Sequence, residues 1–216
     1  MSNIWRSVKL DFSLAKPYVK TICFTIALPV VFAAINRSLM TGISFAMCFT
    51  AMISRSMFSI TEKNDMERLY GILPVRKSEL VIGRYIFIIS LGILALLFSL
   101  ITHPFILSSL GENVSVFDIA VAAVFGIFLF SLYTVFLLPG YYKYGSIKGK
   151  VFMYIPVVFF LVTLFLFTKI PADDNGWFIT ALNSPVLLLV LLGVFVVVMY
   201  VISIRVSVKI VQGKEM

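Results

Sequence analysis

The chain has 216 residues, 61% of them hydrophobic and only 13% charged, with a mean hydropathy of +1.05. That balance excludes an ordinary soluble domain and describes a polytopic, all-α membrane protein, read as one transmembrane domain over residues 1–216. The formal net charge of +8 sits in loops flanking apolar runs, where anionic headgroups lie, so it calls for a bilayer and for no nucleic acid.

Residues 1–16 form a candidate amphipathic helix. At about 100° per residue, Ile4, Trp5, Val8, Phe12 and Ala15 share one sector and Arg6, Lys9 and Ser13 lie largely opposite, while Asp11 fits neither face. This predicts an interfacial helix, with Trp5 at headgroup depth and Arg6 and Lys9 toward anionic lipid. Pro17 then turns the chain into a first span at 19–35, which is read as retained, because it follows a charged segment and lacks a small-residue cleavage site. A spanning helix needs about 20 apolar residues, and six such runs are placed: 19–35, 39–60, 85–107, 117–141, 151–168 and 183–204.

The link Asn36, Arg37, Ser38 is so short that spans one and two must form a tight hairpin. Arg55 lies about one turn inside the end of span two. A cation there costs roughly 2 to 3 kcal/mol unless it snorkels to the interface or pairs with an acid such as Glu62. Cys23 and Cys48 lie inside spans with no paired spacing, so neither a disulfide framework nor a metal site is expected.

Residues 61–85 are the one long, densely charged stretch between two spans. Met66, Leu69, Tyr70 and Leu73 recur at helical spacing, with Glu62, Lys63, Asp65, Glu67 and Arg68 on the other faces, and Ser59 with Glu62 has the spacing of a capping box. Pro74 ends that helix, and Ser78 and Glu79 begin the next. The prediction is a short amphipathic helix over 61–74 on the membrane face, either seated in a partner or solvated at the interface.

In span three, His103 is the chain's one histidine and has no neighbours that make a base or a metal site, so a capped, interface-level histidine is expected. Glu112, in the following link, reflects topology rather than substrate binding. Ala122 and Gly126 in span four have the spacing that lets membrane helices approach closely. The next loop carries Gly145, Gly149 and Lys150, but one residue short of a phosphate loop and with Val151 in place of the hydroxyl residue, so it does not bind ATP in that way. Pro156 bends span five. Asp173 and Asp174 lack the oxygen ligands of a calcium loop, and Trp177 reads as an interfacial anchor. Pro185 suits the first turn of span six, an aliphatic rod expected to face lipid over much of its circumference.

With both termini on one side, that side receives every Lys and Arg except Arg37 and Lys169. The positive-inside rule therefore puts the termini and the 61–74 helix in the cytoplasm. The spans offer no buried ion pair or acidic relay, which argues against a proton- or sodium-coupled carrier.

The six-span plan, Glu62-Lys63 and the run Leu69 to Tyr85 (LYGILPVRKSELVIGRY) resemble the small permease subunits of ATP-binding-cassette transporters of the ABC-2 type. The matching positions are Glu62 and Glu67, then Leu73-Pro74-Val75, Arg76 to Ser78, and Gly83-Arg84-Tyr85, with Ser207 to Ile210 similar to the family's cytoplasmic ending. The resemblance implies a bacterial plasma-membrane exporter of two permeases and two ATPases. The second permease is another copy of this chain or a related one. It implies a coupling helix in which Glu62, Asp65, Met66, Glu67, Leu69, Tyr70 and Leu73 engage the ATPase, with no catalytic residue or cofactor in this chain and ATP and Mg held by the partner. The apolar spans fit an amphipathic or hydrophobic cargo, read as a peptide toxin or antimicrobial. A lipid or drug exporter, and a non-transporting scaffold or sensor, are the alternatives.

Overall fold

The computed structural model describes residues 3–64, 66, 75–158, 162 and 185–213, and its regular elements are all helical. Helix α1 (Asn3–Ala15) passes through a 3-10 turn (Lys16–Tyr18) into α2 (Val19–Asn36). Then come α3 (Leu39–Lys63), α4 (Lys77–Ser109), α5 (Val116–Lys148), a second 3-10 turn (Gly149–Met153) and α6 (Pro185–Gln212). Among the described residues, five helical stretches are long and apolar enough to cross a membrane, the first joining α1 to α2 and the fourth running from α5 to Val158. Beyond residue 158, the predicted fifth span lies almost wholly outside the described residues.

Local chemistry sets the helix ends. Arg37 takes the left-handed conformation (φ 47°) and Ser38 Oγ accepts the Thr41 amide at 3.3 Å, which closes the expected α2–α3 hairpin. At the start of α4 the Arg76 amide donates to Glu79 at 3.0 Å, and at the start of α5 Ser115 and Asp118 cap each other reciprocally. These side chains satisfy amides that the first helical turn leaves without an intrahelical acceptor.

Helix α3 lies at the centre, packed along α5 and flanked by α2 and α4. Lipid tails are as apolar as leucine, so helices in a membrane associate through close packing, and small residues permit it. Ala46 and Ala51 of α3 and Ala122 of α5 are buried at these contacts. A Cβ at Gly126 would come within 2.9 Å of Ile43 Cγ2 and 3.1 Å of Met47 Cγ, so the Ala122 and Gly126 pair is an intramembrane packing site.

Helix α6 runs alongside α5 in the same direction. Phe195 and Met199 lie opposite Phe128 to Val135, Ser203 Oγ donates to the Val135 carbonyl at 2.7 Å, and Val211 reaches a cleft shared with Gly145. Most of α6, including Val190, Val194, Val197 and Val201, is exposed, as expected of an aliphatic rod. Its last turns carry a polar seam that hydropathy hides: Tyr85 Oη contacts Ser203 Oγ at 2.6 Å and Ser207 Oγ at 2.9 Å, all three buried.

Two expectations need correction. The loop expected after span four is largely helical: α5 runs on to Lys148, interrupted by a local break at Gly145 (φ 77°, ψ 178°). The inward face of α1 is Ser7, Val8, Asp11 and Ala15, while Trp5 and Phe12 are exposed, so the apolar sector read from the wheel is split between protein and surroundings. Asp11 fits poorly on an interfacial face because it points at protein.

His103 is fully buried against its neighbours. Its Nδ1–H donates to the Ser99 carbonyl at 2.8 Å, and its other edge lies against Gly42, where no side chain would fit. The described residues also hold a buried ion pair, between Asp11 and Arg84, outside the predicted spans.

Candidate functional site

The ends of α3, α5 and α6 and the starts of α2 and α4 gather at one end of the bundle, the Glu62 end; the opposite end holds the links at Arg37 and Glu112. The 61–74 segment leaves from the Glu62 end. Two polar contacts fix the surroundings.

The first joins α3 to α5. Arg55 and Glu62 are about two turns apart, so they share a face of α3. Glu62 accepts the Ser146 amide at 2.6 Å and also the Ser146 hydroxyl, while Arg55 Nε donates to the Ser146 carbonyl at 3.2 Å. Arg55 thus meets Glu62 through the two sides of one serine rather than directly.

The second joins α1 to α4. Arg84 grips Asp11 with two hydrogen bonds, Nη2 to Oδ1 at 2.7 Å and Nε to Oδ2 at 3.3 Å. The side chains are 6% and 4% exposed. Such a pair is stable only because the guanidinium fork matches the carboxylate and the remaining groups are engaged. Arg84 also lies over the Phe58 ring, 4.9 Å from its centroid. Gly83 brings α1 close, since a Cβ there would sit 2.7 Å from Ser7 Cβ.

Phe58 links the two contacts. It lies edge-on to Tyr142 at 4.8 Å and tilted against Tyr141 at 5.4 Å. Between them is a cleft of about 80 Å³ where α1, α3, α4, α5 and α6 meet, bordered by Asp11, Arg84, Glu62, Thr61 and Val211 among others. At the opposite end, Arg37 and Glu112 form an exposed pair at 3.5 Å, so the link carboxylate answers the hairpin cation.

Of the residues expected to face an ATPase, Glu62 is exposed, with its carboxylate bonded to Ser146, and Met66 is half-buried; Asp65, Glu67, Leu69, Tyr70 and Leu73 lie outside the described residues. Trp5, Arg6 and Lys9 are exposed on α1, and Trp177 lies outside the described residues. Sequence reasoning missed the roles of Asp11, Phe58, Gly145 and Ser146. Asp11 carried a signal, as an acid interrupting an otherwise consistent wheel. The others carried none that a local pattern reads.

Among the described residues, no three His, Cys, Asp or Glu side chains are grouped to hold a metal ion. What the arrangement offers is mechanical: a charged segment rooted in a junction that ties five helices together. Over residues 8–212 the chain matches the family described as ABC-2 family transporter protein. No match is found among curated proteins or among solved structures.

Proposed function

The chain belongs to the ABC-2 transporter family and is a multi-pass permease subunit; from that premise we propose that it works with an ABC ATPase as the membrane half of an ATP-driven exporter, coupled to that ATPase through the 61–74 segment. The family match over residues 8–212 carries this reading. The geometry supports the coupling part of it: the segment joins α3 to α4 beside a junction in which α1 is pinned to α4 and α5 to α3. A partner that pushes on 61–74 therefore acts beside helices joined by these two contacts.

In the proposed complex two permeases and two ATPases work together, and nucleotide closure of the ATPase pair biases one of two packings of the membrane helices. ATP and Mg are held by the ATPase, and this chain performs no covalent chemistry. Leu69, Tyr70, Met66 and Leu73 fill a groove of the ATPase, and Asp65 and Glu67 fix register. The distribution of Lys and Arg supports a cytoplasmic Glu62 end. The parallel course of α5 and α6 supports a sixth crossing between them, over the 151–168 expected from hydropathy. The apolar spans fit a hydrophobic or amphipathic peptide cargo in a bacterial plasma membrane.

The test is to purify the chain from its native membrane in mild detergent, identify what accompanies it, and assay ATP hydrolysis with and without amphipathic peptides. An ATPase at equal stoichiometry with peptide-sensitive turnover is expected. Turnover that answers to lipid or drug instead moves the cargo class, and absence of any ATPase leaves a scaffold or sensor.

A further inference from the structure

We propose that Glu62 is a positioning residue that clamps α5 to α3, so that movement of the 61–74 segment is passed to α5 as well as to the two helices it joins; this rests on the permease reading above.

Ser146 is 3% exposed. Its amide, hydroxyl and carbonyl are all engaged by α3, the first two by Glu62 and the third by Arg55. In an unbroken helix the Ser146 amide would be taken by the carbonyl four residues earlier. The break at Gly145 releases it for Glu62. Gly145 stands at φ 77°, a region side chains rarely adopt, and a Cβ there would lie 2.8 Å from Glu62 Oε1. Glycine at 145 and the acid at 62 are therefore two halves of one device: the first opens the α5 backbone and clears the space, and the second fills it with a charge-assisted acceptor.

The location gives the clamp its function. Glu62 is in the last turn of α3, one residue before the helix ends at Lys63 with Asn64 as its C-cap. Ser146 is in the last turn of α5, before the Gly149–Met153 turn. Helix α5 is the element on which both α3 and α6 pack, and it reaches from the Glu62 end to the Arg37 end. Through Ser146, a displacement of the charged segment reaches the far side of the bundle without passing through α4.

The test uses the permease copurified with its ATPase, with Asn113→Cys as an exposed reporter at the Arg37 end in a Cys23→Ser, Cys48→Ala background. The readout is the change in maleimide labelling rate on adding MgATP, normalised to ATP turnover in the same preparation. Gly145→Ala and Glu62→Ala are expected to reduce that normalised change at least fivefold. Glu62→Gln restores most of it, since its amide oxygen accepts the Ser146 amide and its NH₂ donates to the hydroxyl. If Gly145→Ala does not fold, Glu62→Ala with Ser146→Ala decides by the same fivefold criterion. A wild-type-sized response in the alanine variants, or a wild-type reporter that ignores MgATP, overturns the clamp. A wild-type chain that brings no ATPase refutes the permease reading itself, a separate and distinguishable result.

Discussion

Removing Asp11 should destabilise the protein far more than removing a surface acid, and the size follows from burial. Asp11 and Arg84 are 4% and 6% exposed and joined by two hydrogen bonds. Asp11→Ala deletes the carboxylate and leaves the guanidinium buried among Phe58, Ser7 and Val81. Breaking one side of a buried pair costs about 3–5 kcal/mol. The Phe58 face, worth roughly 1–2 kcal/mol to a desolvated cation, holds the loss near the lower bound, about 3 kcal/mol. At roughly 2 °C per kcal/mol for a chain of this size, the melting temperature in detergent should fall by about 6 °C or more. The paired replacement Asp11→Leu with Arg84→Met removes both charges and should recover to within about 1 kcal/mol of wild type. A thermal double-mutant cycle reads the coupling. If Asp11→Ala costs under about 1 kcal/mol, or the double variant is as damaged as the two single losses added together, the pair does not pin α1 and the reasoning fails.

Three further outcomes test other parts of the account. Gly126→Leu should cost about 1–3 kcal/mol by forcing α3 and α5 apart at Ile43 and Met47, whereas Gly126→Ala should cost less, because a single methyl adds less volume at the contact; thermal unfolding in detergent ranks them. Tyr85→Phe should cost about 1 kcal/mol and loosen the end of α6, seen as faster amide exchange around Ser203 and Ser207, and unchanged exchange there would mean that the seam holds nothing. Arg6→Cys in a background lacking Cys23 and Cys48 should react with impermeant thiol reagents in inside-out vesicles alone, since Arg6 lies on the exposed face of α1; labelling from the outside would invert the proposed topology.

The elements that sequence reads well here are those whose physics is local. Arg37 and Ser38 leave too few residues for anything but a hairpin, Ala122 and Gly126 announce a close helix contact, and the aliphatic run of α6 faces outward as its composition implies. The site was only half legible for a physical reason. Hydropathy and the helical wheel treat lipid and protein as one apolar phase, so they could not divide α1 between the face that holds Val8 and Asp11 and the face that shows Trp5 and Phe12. The same limit hid the packing of His103 against Gly42 on another helix.

The decisive polar contacts also join residues far apart in the chain, 73 positions for Asp11 and Arg84 and 84 for Glu62 and Ser146. No local period carries such a pairing. Glycines and lysines around 145 suggested a loop, but a single glycine in an unusual conformation lets a helix break and resume. Glu62 shows the consequence: its neighbours make it one more charge on an amphipathic helix, and they carry no sign of its bond to Ser146 on α5.

The most direct test of the central claim is copurification of the partner ATPase with Leu69→Asp, which places a charge on the apolar stripe of the 61–74 segment. Loss of the ATPase, with membrane insertion and detergent stability unchanged, is the predicted result. An ATPase that still copurifies at wild-type stoichiometry would contradict docking through this segment.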